Sequence, residues 1–192
     1  PEAVEIDEVI VTGSLLRGAV DGPSPVVVVS QDRLDREGRA TVAEALAALP
    51  QNFGGTANEA AIGNGGDRTG ANANYANGVN LRGLGSDATL VLVNGRRIAG
   101  TGSKGDFADV SSIPTAAVER IDILLDGASA LYGADAVGGV VNIVLRDDYD
   151  GAETRARYGA ASDGAFSDVQ FAQTFGRNWS SGNLMAVYEH QD

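Results

Sequence analysis

Between Asn80 and Val144 the chain alternates short β-prone runs with glycine-bearing turns, and that spacing constrains the fold more than any other feature. Residues 89–93, the Asn94-Gly95 pair and residues 96–98 form a hairpin signature, because Asn-Gly tolerates the positive φ angles of a type I′ turn. Pro114 opens a brief helical turn and residues 120–125 form a strand. Asp126 and Gly127 turn the chain into another short helical piece, and residues 139–145 make a final strand. Upstream, Pro23 and Pro25 set off residues 26–29, a continuous apolar run expected to be a strand buried on both faces. A short helix is expected from about Gln31 to a stop at Gly38. Thr41 and Glu44 have capping-box spacing, and the helix they open lines up Val42, Ala45, Leu46 and Leu49 before Pro50 ends it. Together these runs predict an α+β domain of short strands and short helices.

The 26 glycines and sparse aromatics among 192 residues fit such a fold better than a helical bundle. Two stretches, residues 54–78 and 100–106, carry Gly, Asn and Ala with hardly an aliphatic, and both are expected to be loops. A formal charge of −12 argues against nucleic acid as a partner, since phosphates would be repelled. No apolar run approaches the roughly 18–20 residues of a membrane-spanning helix, a criterion that does not bear on β-barrels. No basic n-region followed by an apolar run opens the chain, so a signal peptide is expected to be absent or already removed. With zero Cys, disulfides and thiolate metal sites are excluded, while the compartment stays open.

Candidate chemistry is thin. Gly83, Gly85 and Ala88 fit a dinucleotide fingerprint, but β-branched residues and a hairpin turn follow where the phosphate-binding helix should begin. Asp147, Asp148 and Asp150 suggest calcium, yet Arg146 occupies the first ligand position and no Glu falls at the twelfth. His190 is the only His and has no Cys or second His to join it. No catalytic residue, metal site or cofactor is expected, and the chain is not expected to be an enzyme.

Beyond Gly151 the pattern becomes alternation. Residues 153–158 alternate polar with small or aromatic residues, Val169, Phe171 and Phe175 alternate with polar or small neighbours, and residues 184–188 make a third run. Strands of about 10 residues with one apolar face are what an outer-membrane barrel shows, and an ordinary antiparallel sheet alternates in the same way.

In order and spacing, Asn80–Gly83, the Asn94-Gly95 hairpin, residues 118–124 and residues 132–144 resemble the plug domain of TonB-dependent outer-membrane transporters. The resemblance implies an N-terminal TonB-box-like segment over residues 1–14, an α+β plug with a small mixed β-sheet and short helices over 15–148, and the first antiparallel strands of a truncated transmembrane β-barrel over 149–192. Asp7, Glu8, Val9, Ile10, Val11 and Thr12 are similar to the TonB box, whose β-prone core suits strand addition to a partner sheet; the same residues also read as the first plug strand. Arg82, Glu119 and Arg120 match charged plug positions that would pair with the barrel wall, or they form surface ion pairs of about 0–1 kcal/mol each. Asn94 departs from the family's usual Asp-Gly turn, and both residues suit it. Arg68, Asn72, Asn74, Tyr75, Lys104 and Phe107 would touch substrate from outward-facing loops, or simply solvate those loops.

The resemblance implies a plug that gates energised import of a scarce nutrient (siderophore, cobalamin, saccharide or peptide) after pairing with TonB and its inner-membrane energising complex. The expected location is the outer membrane of a Gram-negative bacterium, with the plug inside the barrel and the N-terminus periplasmic. Three or four strands of about 10 residues cannot close a barrel of about 22, so the chain is expected to be a fragment of a longer transporter. The alternative is a stand-alone plug-like binding module without a pore.

Overall fold

The computed structural model describes residues 26–54, 76–102, 105–126, 129–160 and 167–191. Its elements run β1 (Val26–Ser30), α1 (Gln31–Glu37), α2 (Val42–Ala47), β2 (Thr89–Val93), β3 (Arg96–Arg97), β4 (Gly100–Thr101) and β5 (Phe107–Ala108). They continue with β6 (Val118–Leu124), α3 (Ser129–Tyr132), β7 (Gly139–Leu145), β8 (Gly151–Ala160), β9 (Ser167–Trp179) and β10 (Gly182–Gln191).

Five strands form a mixed sheet in the order β1-β6-β7-β2-β3. β7 pairs parallel with β2, and every other pairing in the sheet is antiparallel. This is the α+β arrangement expected of the alternating runs. The Asn94-Gly95 turn closes the β2–β3 hairpin with φ of 49° and 74°, the double positive φ of a type I′ turn. Asn94 does more than tolerate that backbone, since its Oδ1 accepts from the Leu145 amide at 2.8 Å and ties the hairpin to β7.

β1 differs from the expectation of burial on both faces. Among the described residues it lies at the sheet edge with β6 as its one strand neighbour, and Val29 is buried while Val28 is 36% exposed. A continuous valine run is compatible with either place, because β-propensity registers a pleated surface and not the number of neighbours. The 100–106 stretch, expected as loop, begins with the short strand β4, which pairs with β5 just beyond the stretch.

α1 stops where Gly38 takes the left-handed conformation, at φ 66°. α2 starts at Thr41, whose hydroxyl accepts from the Glu44 amide at 3.0 Å, while the Glu44 carboxylate accepts from the Ala40 amide at 2.8 Å. The second half of this box therefore reaches one residue ahead of the cap. Val42, Ala45, Leu46 and Leu49 are buried, and they pack with Ile121, Ile123, Val141 and Ile143 on one face of the sheet. Leu90, Leu92, Leu124 and Val140 point to the other face, where Ala136 and Tyr132 cover them.

β8, β9 and β10 form a separate antiparallel sheet joined to β7 by residues 146–150. Its faces are the reverse of those in a water-soluble sheet. Tyr158, Phe171, Phe175, Trp179, Leu184 and Tyr188 are exposed, with Tyr158 at 72%, while Glu153, Arg155, Asp168, Gln170 and Thr174 turn inward. The inward side packs against the first domain. Among the described residues no helix is long and apolar enough to cross a membrane, which says nothing about strands.

Candidate functional site

The described residues contain no group of three or more His, Asp or Glu side chains placed to hold a metal ion. What the structure offers is a joint between two sheets, assembled almost wholly from polar groups. On the first domain, Thr115 begins a short 3-10 turn after Pro114, leaving the amides of Thr115 and Ala116 directed away from that domain's core. Glu189 of β10 receives both, at 3.3 Å and 3.1 Å. The Thr115 hydroxyl donates to the Ala40 carbonyl at 2.9 Å, and Gln170 of β9 donates to the same oxygen at 2.7 Å. A carbonyl has two lone pairs, and here both are in use.

A second chain of contacts runs beside the first. Gln31 donates to the Thr115 carbonyl at 3.3 Å, and its side-chain oxygen accepts two bonds from Arg146 at 3.0 Å and 2.7 Å. Arg146 then reaches Glu153 of β8 at 2.8 Å, and its guanidinium lies 5.4 Å from the centroid of the Tyr149 ring. Arg155 links Glu153 to Asp35 of α1, pairing with Glu153 and reaching Asp35 at 3.1 Å. Charged partners with several bonds each hold geometry better than a single exposed pair would. Beside the network lies a cavity of about 500 Å³ lined by Arg39, Arg155, Arg157 and Gln170, polar and roomy enough to hold water.

The tether also packs closely. A Cβ added to Gly176 of β9 would lie 2.1 Å from the Tyr149 carbonyl oxygen, so only glycine lets the tether cross this strand.

Arg82 sits at φ 60°, an unusual place for a residue with a side chain. Its guanidinium bridges the two ends of the excursion between β6 and β7. It donates to Leu125 O at 2.6 Å and Asp126 at 2.8 Å on the way out, then to Val137 O at 3.0 Å and Gly138 O at 3.2 Å on the way back. Four of its five N–H groups are thus engaged within the first domain. Arg97 holds the middle of the same excursion through Asp135 and the Tyr132 carbonyl. Arg120 pairs with Glu119 beside it and with Asp122, fully buried, at 3.3 Å. These contacts of Arg82, Glu119 and Arg120 are all made within the first domain.

Of the loop residues expected to meet substrate, Phe107 is described: it is 7% exposed and packs with Ala76. Arg68, Asn72, Asn74, Tyr75 and Lys104 lie outside the described residues, as do Asp7, Glu8, Val9, Ile10, Val11 and Thr12. Sequence reasoning missed Gln31, Ala40, Thr115, Gln170 and Glu189. The available signal was the polar face of the alternating strands: Glu153, Gln170 and Glu189 all stand on it, and a polar strand face needs a polar partner.

The fold matches several solved structures. The siderophore receptor PirA from Pseudomonas aeruginosa aligns with a TM-score of 0.58 and 20% identity, covering 86% of this chain and 28% of that one. A mutant of the ferric enterobactin receptor PfeA from the same organism, in complex with enterobactin, aligns at 0.63 and 18% identity, covering 88% and 25%. The siderophore receptor PiuA from Acinetobacter baumannii aligns at 0.61 and 20% identity, covering 90% and 21%. The chain therefore spans about a quarter of the length of these structures, all of which are receptors. The family model described as the TonB-dependent receptor plug domain matches residues 19–140, more than half of the chain. A mixed five-stranded sheet with short helices, running into antiparallel strands that pack against it, is the fold that goes with that match, and this chain belongs to the TonB-dependent receptor plug family.

Proposed function

We propose that this chain is the plug and the first wall strands of an outer-membrane transporter that gates energised import of a scarce nutrient. The observation that carries the reading is the reversed sheet β8–β10, whose aromatic face is exposed while its charged face grips the first domain. In water that arrangement wastes apolar area, whereas in lipid it is the arrangement a barrel wall requires. Residues 15–148 serve as the plug and residues 149–192 as the start of the wall. Residues 1–14 carry the coupling segment, with the N-terminus in the periplasm of a Gram-negative cell.

Coupling runs through Asp7, Glu8, Val9, Ile10, Val11 and Thr12, which add as a strand to TonB, backed by its inner-membrane energising complex. Arg82, Glu119 and Arg120 contact parts of the wall beyond β8–β10; the one N–H of Arg82 left over among the described residues and the exposed carboxylate of Glu119 suit that role. Cargo meets the outward loops through Arg68, Asn72, Asn74, Tyr75, Lys104 and the loop framed by Phe107. The solved relatives are siderophore receptors, which puts ferric siderophores first among siderophore, cobalamin, saccharide and peptide cargo. Deleting residues 8–12 in the full-length protein abolishes energised uptake and leaves ligand binding intact. Unchanged uptake would remove the coupling role from this segment.

A further inference from the structure

On the reading that β8–β10 begin a wall around the plug, we propose that the joint of Glu189, Gln170 and Glu153 with Thr115, Ala40 and Arg146 is a fixed seat. It stays closed while the opposite end of the plug sheet yields.

The strand register gives the plug two ends. At one end Ser30 pairs with Arg120 and Val118 with Leu145; at the other Val26 pairs with Leu124 and Thr89 with Gly139. Every seat residue of the plug belongs to the first end. Gln31 follows Ser30, Thr115 and Ala116 precede Val118, and Arg146 follows Leu145. The covalent tether leaves the plug there too, through residues 146–150, and Tyr149 is packed onto Gly176. Three independent attachments therefore coincide: the chain itself, the close packing of Tyr149, and a charge-assisted network.

The other end is held differently. Arg82 and Arg97 close the β6–β7 excursion with bonds made inside the plug. The chain enters the sheet at this end, at Val26, on a strand whose one neighbour among the described residues is β6. A pull on the chain ahead of Val26 loads the five pairings of β1 with β6 before it reaches Gln31 and the seat. Edge-strand pairings open one after another, whereas the seat presents several charged bonds at once. The load path ends at the part of the plug least able to move.

Hydrogen exchange on the full-length protein in detergent tests the seat directly, because Glu189 accepts from two named amides. Glu189→Ala speeds exchange at Thr115 and Ala116 about tenfold and leaves β6 and β7 amides at the parent rate, while Glu189→Gln, which keeps an acceptor oxygen but no charge, falls between. Parent-rate exchange at both amides in Glu189→Ala would overturn the seat, and so would Glu189→Gln matching Glu189→Ala. The fixed role is tested by uptake. Thr115→Cys with Glu189→Cys, joined by a short flexible dithiol cross-linker, keeps the seat closed and retains uptake, and loss of uptake on cross-linking would overturn it. Should the full-length protein transport nothing, the exchange result still reports on the seat, so failure of the transporter reading is distinguishable from failure of this one.

Discussion

In the plug sheet, Ile121, Ile123, Val141 and Ile143 turn into a core that α2 and the neighbouring chain cover. In β9, Phe171, Phe175 and Trp179 follow the same two-residue period but turn away from the rest of the chain, while Asp168, Gln170 and Thr174 face inward. The alternation is the same and the solvent logic is opposite. Period two says only that a strand has two unlike faces; which face is covered depends on what lies opposite. The plug presents β8–β10 with backbone amides, a carbonyl and charged side chains, so the polar face is the one that docks.

The contrast breaks first at the core. Leu81 is fully buried, and Leu81→Ala removes transfer energy and leaves a cavity, costing about 2–5 kcal/mol. Hydrogen exchange of β6 and β7 amides in the full-length protein reads the loss. Phe175→Ala, on the exposed face, leaves the same plug amides at the parent rate. If the two variants lower plug protection equally, the sheets do not differ in the way described.

The next test separates lipid from water. Phe175→Arg costs about 2–4 kcal/mol where the residue faces the middle of a bilayer and close to nothing where it faces water. Folding equilibria of the full-length protein into phospholipid vesicles, followed in urea, give the number. A cost confined to a few tenths of a kcal/mol would place the aromatic face of β9 outside lipid.

Most of the plug fold was legible because its signals are local. The Thr41 cap and its Glu44 partner lie three residues apart, and the Asn94-Gly95 turn encodes its own φ angles. β1 was misjudged because an edge strand and a central strand share the same valine-rich run. The seat was illegible for another reason. Glu189 meets Thr115 and Ala116 across more than seventy residues, and Gln170 meets Ala40 across 130. In each case the plug contributes a backbone group, which every residue possesses and which leaves no mark in sequence. The same holds for Arg82, three of whose acceptors are the carbonyls of Leu125, Val137 and Gly138.

α1 carries the comparison down to a single helix. Asp35 reaches across to Arg155 in β8, while Glu37, two residues on and exposed, pairs with Arg33 on the same helix at 2.7 Å. The hydrogen bond from Arg33 is the main cause that holds the Glu37 carboxyl below its ordinary value of 4.5, outweighing the opposing effect of burial, with the charges of Arg33 and Arg39 adding to it. A depressed carboxyl contributes stability that is complete above the unfolded value and disappears as pH falls through the folded one, so acid below about 4.5 is where this pair is lost. Being exposed, it is also screened by salt. Arg33→Gln returns the Glu37 titration midpoint towards 4.5 by NMR, and raising the salt does the same to the parent protein. The exchange rates of Thr115 and Ala116 stay put in both cases, since Glu189 and not α1's outer face holds those amides. If the seat amides moved with Glu37, the helix would transmit its surface charges to β8–β10, and the division between an exposed pair and a docked one would fail.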